Sequence, residues 1–221
     1  FGYRTDGYFQ NADEIKNNQV NHQNPNLGPG DIRYVDVNGD GIISSGKGNL
    51  EDPGDLVYLG TQNPTYSFGL NLGFNYKGFD FSAFIQGVGK REFLLPSVLT
   101  LPYVESWRQA WAIHKDYWTP ENPNATFPRP VMGGGSNARI SDKWVVNGAY
   151  ARMKNIQLGY TLPKELTTKG GIERLRVFFS GEDLFEFKKS WNPYYDPETP
   201  NGQAFGYPFF RSFTLGVNVT F

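Results

Sequence analysis

Cysteine is absent from all 221 residues. That excludes disulfide stabilisation, thiolate zinc or iron–sulfur sites and any Cys nucleophile. Excess charge of either sign is absent too: 21 Lys and Arg stand against 22 Asp and Glu, a formal net charge of −1. No basic field is available for nucleic acid, so none is expected as a partner. The two histidines, His22 and His114, lack spaced partners and are expected at the surface rather than on a metal. No Ser/His/Asp pattern, metal-spaced His pair or phosphate-cradling Gly loop is present, which speaks against an enzyme. No apolar run approaches the ~18 residues of a membrane helix. A β-barrel is untouched by that test, because half of every strand faces water. The chain opens on Phe1 with neither an initiator Met nor a signal peptide, so it is expected to be processed or part of something longer.

What is abundant is aromatic residue (16%) and glycine (26 residues), the composition of an all-β chain with many turns. From Phe209 to Phe221 the sequence FFRSFTLGVNVTF alternates: Phe213, Leu215, Val217, Val219 and Phe221 fall on one face, Ser212, Thr214, Gly216, Asn218 and Thr220 on the other. Beyond Arg211 the polar face carries only small uncharged groups, which suits a strand between lipid and a watery lumen. Thr65 to Tyr76 repeats the pattern, with Tyr66, Phe68, Leu70, Leu72, Phe74 and Tyr76 aligned, aromatics at both ends and leucines between. Ten residue steps of ~3.3 Å, tilted by ~40°, span about 25 Å, the height of a lipid-facing band between aromatic girdles.

Lys77-Gly78 is expected to make a tight hairpin into a returning strand over 79–88. Further strands are expected over 1–9, within 144–162 with Ile156, Leu158 and Tyr160 outward, and over 173–184, about six in all. The aromatics Tyr103, Trp107 and Trp111, at i, i+4 and i+8, predict a helix of about three turns that packs a long excursion down or, less in keeping with such stripes, stacks on sugar. Residues 185–208 are expected as a Pro-, Tyr- and Asn-rich loop.

Residues 10–64 are polar and far longer than an ordinary connection. Within them Asp36, Asn38 and Asp40 place side-chain oxygens at positions 1, 3 and 5 of a calcium loop, Gly41 stands at the turn position, and Ile42 offers a carbonyl at position 7. Lys47 occupies position 12, where the motif wants a bidentate Glu. A calcium ion and a metal-free Asx turn both remain open.

From the C-terminus the connections run long, short, long, short, long, as in bacterial outer-membrane barrels with short periplasmic turns and long external loops. Six strands do not close a barrel, and the chain is expected to be one segment of a larger one, its C-terminus periplasmic.

Six blocks carry a more specific signal: PGDIRYVDVNGDGII, NPTYSFGLNLGFNYKGFDFSAFIQG, DYWTPENPNATFPRP, AYARMKNIQLGYTLP, RLRVFFSGEDLF and YPFFRSFTLGVNVTF. In this order they resemble the C-terminal part of the SusC/RagA-type TonB-dependent outer-membrane transporters of Bacteroidetes, over nearly the whole chain. The resemblance implies an all-β fold, the C-terminal segment of a large antiparallel transmembrane β-barrel with long extracellular loops. The plug, TonB box and N-terminal strands of the family are not in the sequence. It further implies import of oligosaccharide or peptide with a SusD-like surface lipoprotein, coupling to TonB through the absent N-terminal region, and a terminal aromatic, Phe221, read by the barrel assembly machinery. The competing expectation is a calcium-dependent carbohydrate-binding all-β surface module.

Overall fold

The computed structural model describes residues 1–105, 108–189, 196–198 and 210–221. In chain order the strands are β1 (Gly2–Tyr3), β2 (Thr5–Tyr8), β3 (Ile32–Tyr34), β4 (Leu56–Val57), β5 (Tyr66–Tyr76), β6 (Phe79–Gly89), β7 (Glu92–Leu94), β8 (Val145–Asn147), β9 (Tyr150–Thr161), β10 (Arg174–Lys188) and β11 (Ser212–Thr220). The helices are short: α1 (Ala12–Asn17), α2 (Ser97–Thr100) and α3 (Lys164–Thr167), with four single turns of 3-10 helix. The chain divides into two compact units, one built mainly from Phe1–Gln62 and Glu92–Val146, the other from Asn63–Arg91 with residues from Asn147 onward.

The second unit is an antiparallel sheet in the order β11-β10-β9-β6-β5. Lys77 (φ +48°) and Gly78 (φ +88°) both take the left-handed conformation that a two-residue hairpin needs, and they join β5 to β6. The last strand pairs with β10 from Arg174↔Thr220 to Glu182↔Ser212, as the sequence pattern predicts. β5, β9 and β11 begin, and β6 and β10 end, at the same end of the sheet, so the long connections leave from one end and the short ones from the other. Among the described residues the sheet is open, with β5 and β11 at its edges.

Three expectations need correction here. Phe1–Phe9 does not join this sheet: Gly7 at φ +73° breaks the alternation, β1 pairs with β4 and β2 with β3, and among the described residues the sheet has five strands where about six were expected. β10 continues to Lys188 because Phe185, Glu186, Phe187 and Lys188 pair with Met153 to Tyr150, so the strand takes the first four residues of the expected 185–208 loop. Of that loop, 190–195 and 199–208 lie outside the described residues. The helix over 103–111 is not formed at 103–105 or 108–111, Tyr103 itself standing at φ +56°; Trp107 lies outside the described residues.

The first unit makes the two longest connections into one body. Tyr8, Ile32, Tyr34 and Ile43 from the first share a core with Leu101, Trp118, Ala125, Phe127 and Trp144 from the second. Burying apolar area of this kind, at about 25 cal/mol per Å², gives the segments a reason to fold together. Polar bonds tie the same two segments: Tyr8 Oη donates to the Thr126 carbonyl (2.9 Å), Tyr34 Oη to the Ser136 carbonyl (2.7 Å) and Trp118 Nε1 to Gln10 Oε1 (3.1 Å). The firmest tie is a buried carboxylate. Asp31, 1% exposed, accepts from Arg129 Nε and Nη2 at 2.8 Å each, from Asn137 Nδ2 at 2.9 Å and from the Gly28 N–H at 2.9 Å. Gly30 (φ +87°) lets the backbone pass against the Trp118 ring, where a Cβ would collide.

A buried acid deprived of its cation is costly, so Arg129→Ala is expected to destabilise this body by about 3 kcal/mol. Denaturant titration followed by the fluorescence of Trp118 and Trp144 checks it, with an unshifted midpoint as the contrary result.

Candidate functional site

The sheet's two faces differ in chemistry from edge to edge. Cross-strand pairing sets Phe74, Phe81, Leu158, Phe179 and Leu215 in one row, Tyr76, Phe79, Tyr160, Val177 and Val217 in the next, and Leu72, Ala83, Ile156, Gly181 and Phe213 on the other side. The apolar residues found strand by strand in the sequence thus form one continuous band. It is exposed: Leu70 and Leu72 stand at 47%, Phe213 at 66% and Leu215 at 77%. Aromatic rings stack across it, Phe74 on Phe81 at 5.2 Å and Phe79 on Tyr160 at 4.5 Å. Apolar surface on this scale is not left to water without a partner phase.

The opposite face is polar and carries several ion pairs. Arg176 Nε donates to Asp80 Oδ1 at 2.9 Å and its Nη2 reaches Gln157 Oε1 at 3.2 Å; the pair lies over Gly159, where a Cβ would meet both side chains. Nearer the other end Arg152 pairs with Glu186, Lys188 Nζ with Glu186 Oε1 at 3.3 Å, and Lys154 Nζ with Asp183 Oδ1 at 3.0 Å. Lys154 and Asp183 mark a bulge: register slips between Phe84 and Ile85 against β9 and between Glu182 and Phe185 against it, with Asp183 at φ +52°. Two aromatics on this face cover glycines, Phe178 over Gly216 and Phe84 over Gly69.

In the first unit, the Asp36 loop is closed by its own amides. Asp36 Oδ1 accepts from the Gly39 N–H (2.7 Å) and Oδ2 from the Gly41 N–H (2.8 Å); Asp40 Oδ1 accepts from the Ile42 N–H (2.7 Å). Asn38 Oδ1 takes the Asp40 N–H at 3.1 Å, and Asn38 Nδ2 donates to Asp40 Oδ2 at 2.9 Å. The buried acid of the loop, Asp55, holds the amides of Val37 (2.7 Å) and Ser44 (2.8 Å) instead of supplying the missing twelfth ligand. Among the described residues no three His, Cys, Asp or Glu gather as a metal set. Asn38 turns its Nδ2 rather than its oxygen toward Asp40.

Both histidines are buried, 3% exposed, and not at the surface as expected. His22 packs edge-on to Phe9 at 5.1 Å; burial first, then the nearby Arg139 and Arg33 guanidiniums, push its imidazole down to about 4. Neither ring nitrogen of His22 has a hydrogen-bond partner. His114 Nδ1 accepts the Trp111 N–H at 3.1 Å and the ring stands edge-on to Phe127 at 5.1 Å; burial lowers its basicity, with the Leu99 carbonyl opposing. The sequence held no sign of this, since burial of a lone His depends on contacts distant in the chain. Trp111 is exposed, and so is Phe221, at 87%.

No protein-family model matches the chain. A curated relative, TonB-dependent receptor P3 of Formosa agariphila, is 31% identical over 206 residues, 87% of this chain and 19% of the receptor. The chain resembles TonB-dependent receptors. TonB-dependent receptor P26 of the same organism gives 30% over 206 residues, again 87% of this chain, and 20% of that receptor. The chain therefore spans about a fifth of the length of these curated relatives. In fold it is similar to the RagAB peptide importer in its open-open state, with a TM-score of 0.66 at 18% identity, over 100% of this chain and 22% of that one. The closed-closed state of the same importer gives 0.63 at 19%. At such identity the likeness is one of fold, and it covers both units of the chain.

Proposed function

We propose that the chain is part of the barrel wall of a TonB-dependent importer in the outer membrane, taking up oligosaccharide or peptide together with a SusD-like lipoprotein. The observation that carries this is the exposed apolar band running across all five strands, backed by a polar opposite face that carries ion pairs. In hydrocarbon every backbone group needs a partner, so the open edges of β5 and β11 are to be paired by strands beyond this sequence. The end carrying the short turns and Phe221 is the periplasmic one in this reading, and TonB couples through a plug that the sequence does not contain. The relatives are named as a receptor and an importer, which fits a non-enzymatic role.

Leu72→Arg puts a charge at the middle of the lipid band and is expected to cost ~2–4 kcal/mol, while Asn71→Arg, one residue along on the polar face, costs far less. Denaturant titration of the folded barrel in lipid compares them, and equal losses would sink the assignment. Phe221 serves as the signal for the barrel assembly machinery: its deletion is expected to lower the amount of assembled barrel in outer-membrane fractions with the external loops unchanged, and normal assembly would refute that role.

Calcium at Asp36, Asn38, Asp40 and the Ile42 carbonyl remains a proposal resting on donor types alone, against the amide bonds that occupy the loop. Calorimetric titration with Ca²⁺ decides it: heat abolished by Asp36→Ala supports the ion, and no heat at millimolar Ca²⁺ leaves the Asx turn.

A further inference from the structure

We propose that the body built from residues 1–62 and 92–146 is an acid-sensitive element, which loosens when the imidazoles of His22 and His114 take up protons. The geometry is unfavourable to both cations. His22 is enclosed by the rings of Phe9 (5.1 Å) and Tyr34 (6.1 Å), and its own carbonyl accepts from Arg139 Nη2 at 3.0 Å, which fixes a guanidinium beside it. Arg139 is held there by the rings of Tyr3 and Tyr34, at 5.4 and 5.6 Å, and Arg33 on β3 adds a second positive charge. The charged groups acting on His22 are these two arginines, with no carboxylate among them. A protonated His22 has neither a hydrogen-bond acceptor for its nitrogens nor a counter-charge.

His114 faces a different obstacle. Its Nδ1 is an acceptor for the Trp111 N–H, so the ring is the neutral tautomer with the proton on Nε2, and Nε2 is buried beside the Leu99 carbonyl of α2. Protonating Nδ1 turns that accepted bond into two opposed donors and uncaps the 3-10 turn Ala112–Lys115. The Phe127 ring, the third neighbour, belongs to the shared core. These are the only two histidines of the chain, and both sit in this one body.

The direction follows from linkage. A group whose folded form resists protonation leaves the unfolded form binding more protons in acid, so the stability is intact above the ordinary imidazole value near 6.5 and is lost as pH falls toward the folded value of about 4. For His22 alone, moving from pH 7.5 to 5.0 is expected to raise the opening equilibrium about 30-fold.

The test is hydrogen–deuterium exchange of the intact protein in detergent at pH 7.5 and 5.0, corrected for the intrinsic exchange rate. Peptides from β2, β3 and the Trp118–Phe127 region are expected to lose protection by about 30-fold in opening, and those from β9 and β10 to hold theirs. His22→Phe removes no hydrogen bond of the ring and suits an aromatic pocket; it is expected to keep protection at pH 7.5 and remove most of the acid response. Should His22→Phe fail to fold, the wild-type comparison still decides, with His114→Gln as the second variant. Unchanged protection of this body between the two pH values, or a loss that neither variant reduces, overturns the proposal.

Discussion

Register governs the sheet. Side chains alternate with period two, so sliding any one strand by a single residue would send its leucines and phenylalanines to the polar face and its asparagines to the apolar one. The five strands are held against that slip by pairs that work only in one alignment. Arg176 reaches Asp80 across β9 because Gly159 leaves the space between them, and Phe178 closes over Gly216 on the neighbouring strand. The bulge at Lys154 and Asp183 pins β9 and β10 together at mid-height by an ion pair of 3.0 Å. Each device is local; together they keep the band of Phe74, Phe81, Leu158, Phe179 and Leu215 in one line.

A second constraint acts on the long connections. Backbone running outside regular structure must find partners for its N–H and C=O groups, and here a few acids supply many of them. Asp31 gathers one guanidinium, one side-chain amide and one backbone amide; Asp55 holds two backbone amides eighteen and eleven residues away; Asp36 and Asp40 close their own turn. Around these points the aromatic core of Tyr8, Trp118, Phe127 and Trp144 condenses. The same acids that look like metal ligands in the sequence are thus occupied in ordering loops. Excess Asp and Asn in a long connection has that structural use whether or not an ion is present.

The faces of β5, β6, β9, β10 and β11 were legible because alternation is a local property, written residue by residue, and Lys77-Gly78 announces its turn by the same locality. Local pattern failed where distant contacts decide. The three aromatics around Trp107 suggested a helix, yet Tyr103 takes a left-handed conformation and its carbonyl accepts from the Gly133 N–H at 2.9 Å, a partner thirty residues on. Phe1, Tyr3 and Thr5 alternate like a barrel strand, but Tyr3 pairs with β4 and Thr5 with β3. β10 was expected to stop at residue 184, yet the slip at Asp183 and Leu184 is a bulge and not the end, and pairing resumes at Phe185. The histidines were placed outside by their isolation in sequence, and fold topology placed them inside.

Between the row of Leu72, Ala83, Ile156 and Gly181 and the row of Leu70, Ile85, Met153 and Phe185, β5 and β6 advance two residues, β9 three and β10 four. Neighbouring strands therefore contain unequal lengths of backbone between the same two rungs. The surplus has nowhere to go along the strand direction and is taken up as bend and added twist in β9 and β10. A wall assembled from such strands curves by arithmetic: its curvature is stored in the residue count, and deleting Lys154 or Asp183 would flatten it without touching a single apolar side chain.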